Sequence, residues 1–428
     1  MRLGDACDKI GSGATPFGGT QVYASKGVAF IRSQNVYNDG FSWSELAFIS
    51  DAHADQLKGV TVEEGDVLLN ITGDSVARCC QAPSEVVPAR VSQHVAIIRP
   101  RPALLDAEYL RYFLIAPGMQ QQLLSLAGAG GTRDALTKAM IEELELPDIA
   151  IEDQRAIAHV LGSLDDKIEL NQRMNETLDA MAQAIFKSWF VDFDPIHAKA
   201  EDRQPVGMDA ATASLFPDSF EKSALGEIPT GWRAGVLGEV AENPRRAISP
   251  ADVPSGTPYI GLEHMPRKSI ALADWGQVDG VTSGKSQFRR GELLFGKLRP
   301  YFHKVGVAAV DGVCSTDILV ITPKVTDWFG FVLGHVSSEA LVEHADATST
   351  GTKMPRTNWK DLAAFRVAMP SPKAAATFTS LVRPMVDLII SNIHQSQTLT
   401  ALRDTLIPEL ISGRVHASDI WKILEERP

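Results

Sequence analysis

Residues 151–190 read IEDQRAIAHVLGSLDDKIELNQRMNETLDAMAQAIFKSWF, forty residues with no proline. A 4-3 spacing runs through them: Ile157, Leu161, Leu164, Ile168, Asn171, Asn175, Leu178, Ala182, Ile185 and Trp189. That period is the helical one, and the stripe it marks is apolar at both ends and polar in the middle. Adding 221 to each position gives a second seam: Phe378, Val382, Met385, Ile389, Asn392, Ser396, Leu399, Arg403, Leu406 and Leu410. Gly162 in the first stretch falls beside the position of Pro384 in the second, so each is expected to start with a short helix and a break. The long part, 164–190, would span ~40 Å at 1.5 Å per residue.

Two such seams can bury each other as an antiparallel coiled coil. The polar middles would then meet, Asn171 and Asn175 against Asn392 and Ser396, where buried amides set register at some cost in stability. The alternative has each helix packing only on its neighbouring β-domain, with the amides in water. Long apolar stripes want long partners, which favours the paired arrangement.

Outward from the helices, the whole chain repeats. LGDACDKIGSGATP (3–16) pairs with LGEVAENPRRAISP (237–250), and GVAFIRSQNV (27–36) with GTPYIGLEHM (256–265). EEGDVLLN (63–70) pairs with RRGELLFG (289–296), and HVAIIRP (94–100) with DILVITP (317–323). GAGGTRDALTKAMIEELELP (128–147) answers to STGTKMPRTNWKDLAAFRVAMP (349–370), each reading as a Gly-Thr loop and a strand that stops at a proline. The order never breaks, and the offset drifts only from 234 through 229, 226 and 223 to about 221, as a few loop insertions would produce. The repeat unit is domain-sized, which excludes a short-period solenoid.

The expected fold class is therefore α/β in the mixed α+β sense: two pseudo-repeated globular β-rich domains joined by two long antiparallel coiled-coil helices. The boundaries follow. A first domain occupies 1–150, a central helix 151–193, an extended connector 194–232, a second domain 233–371, a C-terminal helix 372–414 and a tail 415–428. Phe186, Trp189, Phe190 and Phe193 at the central helix end read mostly as core, with a protein contact as the lesser reading.

Composition narrows the function. The chain has 428 residues, 44% apolar and 22% charged, ordinary for a globular protein. No apolar run approaches the eighteen residues of a membrane helix, and the four cysteines have no CxxC spacing, so a soluble cytoplasmic chain with reduced thiols and no membrane partner is expected. The net charge of −12 is concentrated in 142–202, where 15 acidic residues face 5 basic ones. By contrast KSQFRRGELLFGKLRPYFHK (285–304) holds six Lys/Arg and one Glu, so local charge leaves a nucleic-acid partner open. Catalytic motifs are scarce. There is no GxGxxG, GxSxG or HExxH, and GVTSGKS (280–286) is one residue short of a phosphate loop. NPRR (243–246) lacks the aromatic that an adenine-methylating loop stacks on its base. The chain reads as a binder with no metal site.

The binding candidates lie in loops at the ends of expected strands. In the first half they are Ser12, Thr15, Arg32, Gln34, Asn35, Thr72, Gln93, His94, Thr132, Arg133 and Lys138. In the second they are Arg289, Arg290, Lys297, Arg299, Tyr301, Lys304, Lys353 and Arg356. Arg and Lys suit phosphate and guanine, and Asn and Gln suit adenine. Any single loop reads equally well as a solvated turn.

LGDACDKIGSGATP, EDQRAIAHVLGSLDDKIELNQRMNETL, FKSWFVDFDPIHAKAEDRQPVGM and LGEIPTGW together resemble the specificity subunit of type I restriction-modification enzymes. The resemblance covers nearly the whole chain and makes its two β-rich domains target-recognition domains. It implies binding of a bipartite double-stranded DNA sequence, one half per domain, with unspecified bases between. It also implies two modification subunits, which methylate adenine with S-adenosylmethionine, and two ATP-driven restriction subunits. No cofactor is then expected on this chain, and S-adenosylmethionine, ATP and Mg2+ belong to the partners. A helix of ~40 Å is close to one turn of B-DNA, ~34–36 Å, so two domains could enter successive major grooves. The first half lacks a counterpart of GEIPTGWRAG, which precedes the second. A two-domain coiled-coil scaffold for other proteins, or an enzyme of unrecognised type, are the competing readings.

Overall fold

The computed structural model describes residues 1–129, 134–278, 283–351 and 353–415. They form two compact units. One is Met1–Lys167 joined by the chain from Leu399 onward, and the other is Ile168–Thr398.

Each unit is built on a four-stranded antiparallel sheet of one topology. In the first unit β1 (Cys7–Ser12), β2 (Val67–Asn70), β3 (Cys79–Gln81) and β4 (Val95–Pro100) lie in the order β1-β4-β2-β3. In the second, β5 (Ala241–Glu242), β6 (Leu293–Gly296), β7 (Val305–Val307) and β8 (Ile318–Pro323) lie in the order β5-β8-β6-β7. A second sheet accompanies each, and it too repeats. Phe30 and Ile31 run parallel to Arg90 and Val91, as Tyr259 and Ile260 run parallel to Val313 and Cys314. Both central strands, β2 and β6, are buried at every position, which is why VLLN and LLFG carry no polar alternation.

An acid fixes the tight turn into each central strand. Asp66 accepts from the Glu63 amide at 2.7 Å and takes Arg99 at 2.8 and 2.9 Å. Glu292 does the same, with the Arg289 amide at 2.8 Å and Arg246 as its forked partner. Asp66 is fully buried, and the two-pronged Arg99 contact makes that tolerable.

The two long helices are α1 (Ile151–Phe190) and α2 (Pro372–Ile411). Neither breaks at Gly162 or Pro384, contrary to the expectation from sequence. Gly162 is there for close approach: a Cβ would lie 2.3 Å from the Glu108 carboxylate. Pro384 removes one helical hydrogen bond, but its neighbours Val382 and Val386 are buried, and that packing outweighs the local preference.

Within the second unit the polar middles of the helices meet. Asn392 donates to Asn175 Oδ1 at 2.9 Å, and Asn171 donates to Gln395 Oε1 at 2.9 Å and Ser396 Oγ at 3.2 Å. Within the first unit, Asp165 on α1 receives Arg403 from α2 at 2.7 Å, the Tyr112 hydroxyl at 2.7 Å and the Arg111 guanidinium. The opposing cations hold the Asp165 carboxyl below its usual range although burial pushes the other way.

Both helices are core elements. Phe186, Trp189 and Phe190 are buried with Phe216, Trp232, Phe331 and Phe378 in the second unit, leaving little of that aromatic cluster for a protein partner. Leu161 and Ile157 are buried with Ile407, Leu410 and Ile411 in the first. α2 contains a stretch long and apolar enough to cross a membrane, and its Val382, Val386, Ile389, Ile390 and Ile393 are spent on this protein's own core.

Two further expectations change. Segment 194–232 is not simply extended, since it holds helix Asp194–Ala200 and the hairpin Phe220–Ser223/Gly226–Pro229. The run AMIEELELP (139–147) is not one strand, because Lys138–Glu142 is helical with the Thr137 hydroxyl accepting from the Met140 amide. Its twin Trp359–Ala363 is helical too, capped by Asn358, before strand Arg366–Met369 pairs with Arg233–Val236. In the first unit residues 144–146 pair instead with the first three residues, through Leu3 N–H to Leu144 O and Leu146 N–H to Met1 O, each 2.8 Å.

Candidate nucleic-acid interface

Five backbone hydrogen bonds gather the loops at one end of each main sheet, and the same five occur in both units. Ile71 donates to His94 at 3.0 Å, as Lys297 does to Asp317 at 2.9 Å. Leu136 donates to Ile71 at 2.9 Å, as Thr357 does to Lys297 at 3.1 Å. Gly73 donates to Asp134 at 3.1 Å, as Arg299 does to Pro355 at 2.8 Å. Ser92 donates to Ile31 and Ser315 to Ile260, both at 2.9 Å. Asn70 and Arg78 pair at 2.8 Å, as Gly296 and Lys304 pair at 2.9 Å. These pairings carry the sequence offsets of the repeat, so positions in the two loop clusters can be compared one by one.

In the first unit the cluster brings together Arg32, Gln34, Thr72, Gln93 and His94, with Ser12 exposed at the end of β1 and Thr15 in the adjoining loop. The Thr72 hydroxyl is 2.6 Å from His94 Nδ1, and Gln93 is 3.4 Å from His94 Nε2. Arg32 donates to the Glu45 carbonyl at 2.5 Å and lies over Tyr23, while Gln34 donates to the Glu45 carboxylate at 3.0 Å. An open concavity of about 420 Å³ sits among Gln34, Tyr37, Thr72, Asp74, Arg78 and His94. Arg78 stacks on Tyr37 with its guanidinium carbon 4.8 Å from the ring centre.

Asn35 departs from its reading as a contact residue. It is fully buried, accepts from the Arg32 amide and donates to the carbonyls of Ser42 and Ser44, so its amide closes a loop. Lys138 is exposed on its short helix and pairs with Glu142 at 3.4 Å. Thr132 and Arg133 lie outside the described residues, as do Thr352 and part of the 280–286 turn.

In the second unit the cluster gathers Lys297, Arg299, Tyr301, Lys304 and Arg356. Residues 350 and 356 bond to each other in both directions at 3.0 Å, closing the loop that carries exposed Lys353. Arg356 pairs with Asp317 at 3.3 Å. Lys304 donates to the Leu262 carbonyl, and burial followed by the neighbouring Arg267 holds its ammonium below the usual lysine range. The same carbonyl in the first unit, Ser33, is taken by Asn70 at 2.8 Å. Position 296 is glycine, so Lys304, just before β7, supplies the missing donor.

Arg289 and Arg290 are not part of this cluster. They occupy the turn before β6, at the other end of the strand from Lys297, and the equivalent residues of the first unit are Glu63 and Glu64. The contact candidates missed from sequence are Arg78 and Tyr37. The repeat offset of 226 that leads from Lys304 to Arg78 was the available signal.

Comparisons with known proteins identify what the chain as a whole is similar to. Residues 1–180 match the family model described as the type I restriction modification DNA specificity domain. The type I restriction enzyme HindI specificity subunit of Haemophilus influenzae is 25% identical over 439 residues, spanning 91% of this chain and 94% of that protein. The MjaIX specificity subunit of Methanocaldococcus jannaschii is 25% identical over 349 residues, 78% of this chain and 74% of that protein. In fold, the chain is similar to the crystal structure of a type I restriction-modification system S subunit from M. genitalium, with a TM-score of 0.55 over 96% of this chain and 95% of that one at 13% identity.

Proposed function

We infer, from the premise that this chain belongs to the specificity-subunit family of type I restriction-modification enzymes, that each of its two loop clusters reads one half of a bipartite DNA target. The chain is the non-catalytic recognition subunit. The observation that carries the reading of the clusters is their identical backbone hydrogen bonding with different side chains on top. One scaffold repeated with different donors and acceptors is what two dissimilar half-sites require.

In the first domain Arg32, Gln34, Thr72, Arg78, Gln93 and His94 are the proposed contacts. In the second they are Lys297, Arg299, Tyr301, Lys353 and Arg356. Lys304 acts by holding the Leu262 loop. The proposed recognition domains occupy 1–150 and 233–371, with spacer helices at 151–193 and 372–414. Two modification and two restriction subunits complete the proposed assembly, in the cytoplasm.

The test is gel retardation by the chain assembled with its modification subunit, on duplexes carrying or lacking the host-methylated sequence. Sequence-specific binding that weakens linearly in log–log salt titration is expected, because phosphate contacts release counterions. Equal binding to all duplexes, or none at low salt, overturns the reading.

A further inference from the structure

The turn that leaves each central strand is alike in backbone and unlike in chemistry. In the first unit it is a single 3-10 turn, Gly73–Ser75, whose first residue Gly73 is left-handed (φ 73°), with a second left-handed residue, Ala77 (φ 71°), two positions beyond its end. In the second it is Pro300–Phe302, flanked by left-handed Arg299 (φ 50°) and His303 (φ 50°). A side chain beyond glycine resists this conformation, so a non-glycine residue held there needs a reason.

His303 has one within the fold. Its buried ring bonds the Ser337 carbonyl at 2.9 Å. Arg299 has none. Its twin is Gly73, the residue the backbone asks for. Its Nε is buried with no hydrogen-bond partner, and the acid of its loop cluster, Asp317, is already paired with Arg356. Beside it Tyr301 stands half exposed at the crest of the turn. With Nε shielded, the terminal nitrogens of this half-buried residue, which make no hydrogen bond or ion pair among the described residues, are the edge left for a planar ligand that offers two acceptors. On DNA that ligand is guanine, through O6 and N7.

We propose that Arg299 reads a guanine in the half-site of the second domain, and that the first domain makes no corresponding contact because Gly73 stands in that place. The proposal rests on the DNA-recognition reading above and names one base contact within it.

The experiment assembles wild-type, R299G and R299K chains with the modification subunit and scores methylation of a duplex library randomised at every position of both half-sites. Wild type should demand guanine at one position of the second half-site. R299G should lose at least about tenfold of that preference while the first half-site is read unchanged. R299K, which keeps charge but not the planar fork, should lose part of it. The melting temperature of R299G should hold or rise, since glycine suits a left-handed φ. Unchanged preference in both variants overturns the proposal while leaving DNA recognition standing, and so does an even loss of activity on all sequences, the mark of a phosphate contact. A wild-type complex with no base preference anywhere overturns both.

Discussion

Asn392 and Asn175 share a hydrogen bond of 2.9 Å between two buried side chains, one on each long helix of the second unit. Removing one partner leaves the other amide desolvated and unsatisfied. N392L should therefore lower stability by about 1–3 kcal/mol, whereas N175L/N392L should be close to neutral and less strict in helix register. Urea unfolding of the two single variants and the double variant closes the cycle. An N392L loss equal to that of the double variant would remove the pairing argument.

Burial pushes the Glu108 carboxyl up to about 7, against the pull of nearby Arg111. Between the ordinary carboxylate value and about 7 the folded state keeps a proton that the unfolded state has released. Its stabilising contribution is thus complete below the ordinary value and is lost as pH rises through 7. Exchange protection of helix Ala107–Ile115, corrected for intrinsic rates, should fall between pH 5 and 8 in wild type and stay flat in E108Q. Equal slopes in the two proteins would contradict this.

His335 is buried against Phe186 and Phe331, with ring centres 4.9 and 4.5 Å away, and burial lowers it to about 3. It stays neutral in the folded state while the unfolded state binds a proton below about 6.5, so stability drains as pH falls from 6.5 toward 3. Substituting phenylalanine should narrow the gap between the urea midpoints measured at pH 7 and pH 5. A gap as wide as that of wild type would show that another group drives the acid sensitivity.

Inserting seven residues after Lys167 and seven after Thr398 keeps each seam on its face and lengthens both helices by about 10 Å. On the bipartite reading, the tolerated gap between half-sites should grow by roughly three base pairs, at 3.4 Å each along one strand. Methylome sequencing of a host carrying the altered system reads the gap directly, and an unaltered gap would refute a spacing role for the helices.

Much of the fold was legible because its signals are long. The 4-3 spacing over forty residues and a repeat kept in order across the chain leave few other arrangements, and the two sheets follow the paired segments. Short signals misled. Pro384 and Gly162 looked like breaks because tertiary packing, which keeps the helices continuous, leaves no local trace. Asn35 looked like a reader of adenine, yet its role depends on carbonyls at Ser42 and Ser44 that only the folded loop brings near. Arg289 and Lys297 share one basic run, and the strand between them carries them to opposite ends of a sheet.

The last turns of α2 contribute Ile407, Leu410 and Ile411 to the core that also holds Leu3, Leu161 and Tyr112. Synthesis runs from the N-terminus, so the ribosome finishes the second unit's sequence before it delivers these three side chains. The domain begun first is completed last, and until then its apolar groove on α1 stays open. A chain released at residue 398 would carry all of the second unit's sequence and an unfinished first unit, which makes this stage the one at which a chaperone or a premature partner has most to grip.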